Sequence, residues 1–156
     1  VHSGEEFIAA TARSAVAAVA PQELPFFPAT CSAYLRDPER ALAGRRRRDE
    51  TLGSGVDTIV ELVSPVALAV AAAVYQQLVD RAGEQVTRGA GRLLARLRRK
   101  AIDTSRPVPN VPLSDEQRAE LRRVAEARAR ALGLDEEQVQ LLVGAIMDGL
   151  QQHGEE

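Results

Sequence analysis

Ser64-Pro65-Val66-Ala67-Leu68-Ala69-Val70-Ala71-Ala72-Ala73-Val74-Tyr75 holds the longest apolar run in the chain, inside a stretch from Ser54 to Val79 around which the other segments are arranged. The run reads as a helix, because Ser64 can cap it and Pro65 fits the first helical position, where no N–H is needed. Small side chains recur four apart, Ala67 with Ala71 and Ala69 with Ala73, so neighbouring helices can approach closely. That geometry belongs in the middle of a bundle. The preceding Val56 to Val63 reads as a separate turn or a kinked lead-in, although its β-branched residues also permit a strand.

Lipid is the competing environment for such a run. A spanning helix needs about 18 to 20 apolar residues, and here Glu61 closes one side while Gln76 and Gln77 close the other. Each Leu or Val favours insertion by only about 0.3–0.6 kcal/mol, and most of the remaining positions are Ala. Arginines flank both sides, at Arg45 to Arg48 and at Arg81, Arg88 and Arg92, so the positive-inside bias selects no orientation. The run is therefore read as a buried central helix, with membrane contact as the alternative.

A chain of 156 residues supports one domain with a real core. With aromatics at 3% and no Trp, that core must be built from Leu, Val and Ala. The formal net charge of -2 argues for neither a nucleic-acid binder nor an acidic tail. Its distribution is more informative. From Arg88 to Ile102 the chain carries Arg88, Arg92, Arg96, Arg98, Arg99 and Lys100 and no acid, whereas acids outnumber arginines from Leu113 to Glu156. Lys100 is the only lysine, and this bias toward Arg and Ala is what GC-rich codons produce. Glu5 and Glu6 precede the first apolar stretch, which does not read as a secretory signal, and Cys31 has no second cysteine to pair with. A reducing, cytoplasmic location is expected, or one peripheral to the inner membrane surface.

Glu5 to Ala20 places Phe7, Ile8, Ala12, Ala15, Val16 and Val19 at helical spacing, with acids in its first turn. Pro21, Pro25 and Pro28 then predict a loop, which Phe26 and Phe27 would press onto the core, a peptide-docking surface being the other use of such rings. Two short helical pieces follow, Ala29 to Arg36 and Pro38 to Ala43, the second capped by Asp37 and stopped by Gly44. Arg45 to Gly55 reads as a charged, solvated connector whose Arg45, Arg46, Arg47 and Arg48 can contact phosphate. After the central run, Val86, Ala90, Leu93, Leu94, Leu97 and Ala101 make an apolar stripe, and Arg88, Arg92, Arg96, Arg99 and Lys100 a basic one. Such an amphipathic helix covers a core, fills a partner's groove or lies on an anionic surface.

Residues 103–112, with Pro107, Pro109 and Pro112, read as a proline-rich linker between a helical body, 1–102, and a terminal unit, 113–156. Ser114 with Gln117 and Asp135 with Gln138 form two capping boxes, Gly133 ends the first helix, and Leu134 with Val139 makes a hydrophobic staple. Leu121, Ala125, Ala129 and Leu132 face Val139, Leu142, Val143, Ile146 and Leu150 across an αα-hairpin, which must dock on the body or on another chain. The predicted class is all-α: a small helical bundle around an Ala/Val-rich central helix, with a C-terminal αα-hairpin.

No catalytic set emerges. His2 and His153 sit near the termini, so Cys31 lacks a base and no Ser-His-Asp arrangement is available. No metal-ligand spacing is present, and Gly89-Ala90-Gly91 and Gly53-Ser54-Gly55 lack the strand, third glycine or Lys of a nucleotide-binding loop. These readings predict a non-catalytic interaction protein with no cofactor and no small-molecule substrate. It would bind its own copy, a protein partner or an anionic membrane surface. Arg45 to Arg48 and Arg88 to Lys100 would serve nucleic acid in the alternative, against which stands the absence of aromatics for stacking in either stretch.

Overall fold

The computed structural model describes residues 3–49, 58–84, 103–110 and 112–153. Ser3 opens the first helix with a capping box: its Oγ accepts from Glu6 N at 3.3 Å, and the Glu6 carboxylate accepts from Ser3 N at 3.1 Å. Helix α1, Gly4–Val19, buries Phe7, Ile8, Thr11, Ala12, Ala15 and Val16 along one face. At Pro21 the chain does not become a loop as its three prolines predict. It forms a 3-10 helix, Pro21–Phe26, leading directly into α2, Phe27–Arg36. The reason is positional, since Pro21 and Pro28 each fall in the first turn of a helical piece, where a missing N–H costs nothing. Phe27 is buried in the core, as a latch would be, but Phe26 remains 71% exposed.

Helix α3, Pro38–Ala43, starts on the expected cap, the Asp37 carboxylate accepting from Arg40 N at 3.1 Å. The connector beyond it holds a strand. β1, Arg46–Asp49, pairs antiparallel with β2, Thr58–Glu61, in the register Arg46 with Glu61, Arg47 with Val60, Arg48 with Ile59 and Asp49 with Thr58. The β-branched Thr58, Ile59 and Val60 suit an extended backbone, and Arg45 O accepting from Leu62 N at 2.8 Å closes the ribbon's base.

Helix α4, Val63–Glu84, is the centre of the molecule. Val66, Ala67, Leu68, Val70 and Ala71 have no exposed surface, and burial extends all round the helix because α1, α2, α3 and α5 each pack against it. Helices α5, Asp115–Ala131, and α6, Glu136–His153, form the αα-hairpin. Both capping boxes are present. Gly133 turns the chain at φ 95°, its N–H reaching Arg130 O while Leu134 N reaches Ala129 O, the paired bonds of a Schellman ending. The hairpin docks on the body, α5 against α4 and α6 against α1, and one continuous core joins all four helices.

These contacts close a ring, α1 to α4 to α5 to α6 and back to α1. Direction alternates around it. The start of α1 lies beside Tyr75 in the second half of α4, and the α4 residues Arg81 and Gln77 contact Glu120 early in α5. The result is an up-down-up-down four-helix bundle whose first crossover carries the 3-10 turn, α2, α3 and the ribbon.

Reading the apolar run as too short to span a membrane needs correcting, since the helix continues through Gln76, Gln77 and Asp80. Val63–Gly83 meets the length and composition of a spanning helix, with a mean hydropathy of 1.3. Its own fold buries 78% of that window, so the surface lipid would contact is already covered by protein.

Candidate functional site

Basic residues are the candidates, and their placement begins at the base of the ribbon. Gly44 ends α3, and the next residue, Arg45, turns its guanidinium back on that helix, Nη1 donating to Leu42 O at 2.8 Å. Its Nε donates to Glu61 Oε1 at 3.3 Å across the two strands. Arg45 thus fastens the α3 carboxyl end to the ribbon. Arg46, Arg47 and Arg48 follow on β1, where the register places no acid opposite Arg47 or Arg48; their side chains lie outside the described residues. Glu61 Oε1 comes within 3.7 Å of where a side chain at Gly133 would begin, which sets the ribbon base beside the α5–α6 turn.

Arg88, Arg92, Arg96, Arg99 and Lys100, with the predicted basic helix that carries them, lie outside the described residues. The points where that segment leaves and rejoins the bundle are described. It departs after residue 84, at the end of α4, and returns at residues 103–106, which are tied to the start of α1 and to the second half of α4. Gly4 N donates to Thr104 O at 3.1 Å, and the buried Tyr75 hydroxyl lies 2.5 Å from Arg106 O and 3.2 Å from Asp103 O. Burial, reinforced by the negative charge of Asp103, pushes the Tyr75 phenol above its ordinary pKa, which keeps it a donor. The ribbon base, by contrast, adjoins the start of α4. A helix of 22 residues is about 33 Å long, so the two arginine-rich stretches are attached at opposite ends of the bundle.

Two further arginines are engaged in ion pairs. Arg81 pairs with Glu120 and so links α4 to α5. Arg130 grips Glu136 through two bonds, Nε at 3.0 Å and Nη2 at 2.7 Å, and this pairing, with a bond from Gln140, holds the Glu136 carboxyl down at about 2.

Polar groups inside the fold hold helix ends and turns. Glu23, in the 3-10 turn, reaches the start of α4, where Oε1 accepts from Val63 N at 2.9 Å and Oε2 from Ser64 N at 2.8 Å. The Ser64 hydroxyl donates to the same Oε2 at 2.5 Å, so Ser64 sits inside the first turn and the cap expected of it comes from Glu23. Cys31 is buried, and burial, followed by the charge of Glu5, pushes its thiol up and away from the reactive thiolate. Tyr34 is likewise buried with its pKa raised. Among the described residues no three of His, Cys, Asp and Glu converge to hold a metal ion, and no buried side-chain polar atom lacks a partner.

Two of these features escaped the sequence reading for different reasons. Ser3 and Glu6 carry the spacing of a capping box and were legible. Glu23 had no local signal, because its partners lie 40 and 41 residues further on. Comparison with protein-family models, with curated proteins and with solved structures finds no match.

Proposed function

We propose that this chain is a non-catalytic helical interaction protein whose four-helix bundle is a scaffold and whose arginine-rich segment at residues 88–100 contacts an anionic membrane surface. The observation that carries this reading is the employment of the interior polar groups. Glu23, Ser64, Tyr75, Arg45 and Glu61 each hold a helix end, a turn or a strand base. These partly or fully buried groups are committed to the scaffold, which supports contact through the charged exterior. Burial of α4 further supports peripheral attachment over insertion, because a covered helix has no apolar face to offer lipid.

Nucleic acid is the second reading, and one specific observation favours it: Arg46, Arg47 and Arg48 stand consecutively on a two-stranded ribbon, an element that a major groove admits. Co-sedimentation with anionic and with neutral vesicles, beside a salt titration with duplex DNA, separates the two. The membrane reading predicts binding to anionic vesicles only, weakened by salt. Binding to DNA with a steep salt slope and none to vesicles would replace it with the second.

A further inference from the structure

From Ser14 to Leu35 the only charged residue is Glu23, in a chain that is 27% charged, and the carboxylate of Glu23 is consumed at the start of α4. This stretch nevertheless reaches the surface. Pro25, Phe26, Pro28, Ala29, Ser32 and Ala33 are all exposed, and Phe26 is the most exposed large hydrophobic side chain among the described residues. Phe26 already has helical backbone angles, φ -96° and ψ -8°, so it extends the outer face of α2 by one residue. On the helical screw Phe26, Ala29, Ala33 and Arg36 share that outer face, turned away from the buried Phe27, Cys31 and Tyr34.

The face is symmetric about the level of residue 31. Phe26 and Arg36 stand at equal distances on either side of it, and so do Ala29 and Ala33. We infer that the outer face of α2 is a self-association surface, on which a second copy of this chain docks with its α2 antiparallel to the first. A two-fold axis at the level of residue 31 sets Ala29 against the partner's Ala33, where small side chains let the helices approach closely. The same axis sets the Phe26 ring against the partner's Arg36, twice in each dimer, as a cation–π contact. This complementarity selects a second copy: the knob, the small-residue floor and the cation all occur on one face, in the order an isologous contact requires. Along this face two copies meet without opposing like charges, since Arg36 is its one charged residue and lies opposite a ring. Two helices of three turns bury less than the roughly 1,200–2,000 Å² of a standard stable interface, so the dimer exchanges and depends on concentration. The inference extends the interaction reading but does not involve the arginine-rich stretches.

Sedimentation equilibrium on the full chain, from micromolar to about millimolar concentration, tests it, with circular dichroism as the check on folding. The wild-type chain is expected to show a monomer–dimer equilibrium within that range. Phe26→Ala should weaken it at least tenfold and Ala33→Arg should abolish it, both with unchanged helicity, because both side chains are exposed. A wild-type chain that stays monomeric throughout, or a dimer that survives Ala33→Arg, overturns the inference. Vesicle binding measured on Phe26→Ala keeps this outcome separate from that of the membrane reading, since that substitution changes no charge and leaves every arginine in place.

Discussion

Glu23 caps a helix that begins forty residues after it: its carboxylate takes the N–H groups of Val63 and Ser64 at 2.9 and 2.8 Å and the Ser64 hydroxyl as well. Orphan N–H groups and a favourable dipole make the start of α4 attractive to a carboxylate. Ser64 is buried beneath Glu23, so removing the carboxylate leaves its donors without their protein partner. Glu23→Ala should therefore cost about 1–3 kcal/mol, the penalty of leaving buried donors unmade. Ser64→Ala should cost less, about 0.5–1.5 kcal/mol. Urea unfolding of both single variants and the double variant checks this, and the two effects should be clearly non-additive because they share one carboxylate.

Gly4 makes the second prediction. A Cβ there would stand 2.5 Å from Tyr75 Cζ and Oη and 2.7 Å from Thr104 O, so Gly4→Ala must displace the turn that closes this end of the bundle. It should destabilise by about 1–3 kcal/mol, as overpacking does. Gly144, inside α6, has nothing within 4 Å, and Gly144→Ala should instead stabilise by up to about 1 kcal/mol through helix propensity. Thermal unfolding of the two variants should move in opposite directions.

Tyr75 carries the third. Its phenol and that of Tyr34 both have pKa values raised by burial. Between the unfolded and folded pKa the native state binds more protons, so the contribution is fully present below about pH 10 and is lost as pH rises through the folded values. Tyr75→Phe should reduce the stability lost in alkali without abolishing it, since Tyr34 remains. At neutral pH it should cost about 1–2 kcal/mol for the lost hydrogen bonding to the 103–106 turn, with faster exchange of the Gly4 amide as the local readout.

Much of this architecture was legible because its signals are local. Capping at Ser114, Asp135 and Asp37 and the turn at Gly133 each depend on residues within a few positions, and each is found as read. The packed α4 follows from an apolar run closed by polar residues. The ribbon was harder, because Arg46 to Asp49 has no strand pattern of its own and extends only by pairing with Thr58 to Glu61. The continuous helical path through Pro21, Pro25 and Pro28 depends on where each proline falls in a turn, which composition alone does not reveal. In the candidate site, Arg45 had looked like its three neighbours. Only the fold brings Glu61 and Leu42 O to it.

Glu136 offers a local test of the αα-hairpin. Its carboxyl is held at about 2, chiefly by the Arg130 hydrogen bonds. Because that pKa is lowered, the pair favours the fold above the ordinary carboxylate range and ceases to do so as pH falls through about 2. Carbon-detected NMR titration should find Glu136 near that value in the wild-type chain and close to the ordinary carboxylate pKa in Arg130→Gln.

Contact with an anionic surface through residues 88–100 is tested most directly by replacing Arg88, Arg92, Arg96 and Arg99 together with Gln and measuring partition onto anionic vesicles at low and high salt. Each arginine that approaches the membrane contributes about 1 kcal/mol, so the quadruple variant should lose several kcal/mol of binding at low salt and less at high salt, with its helicity intact. Undiminished vesicle binding by a folded quadruple variant would contradict the account.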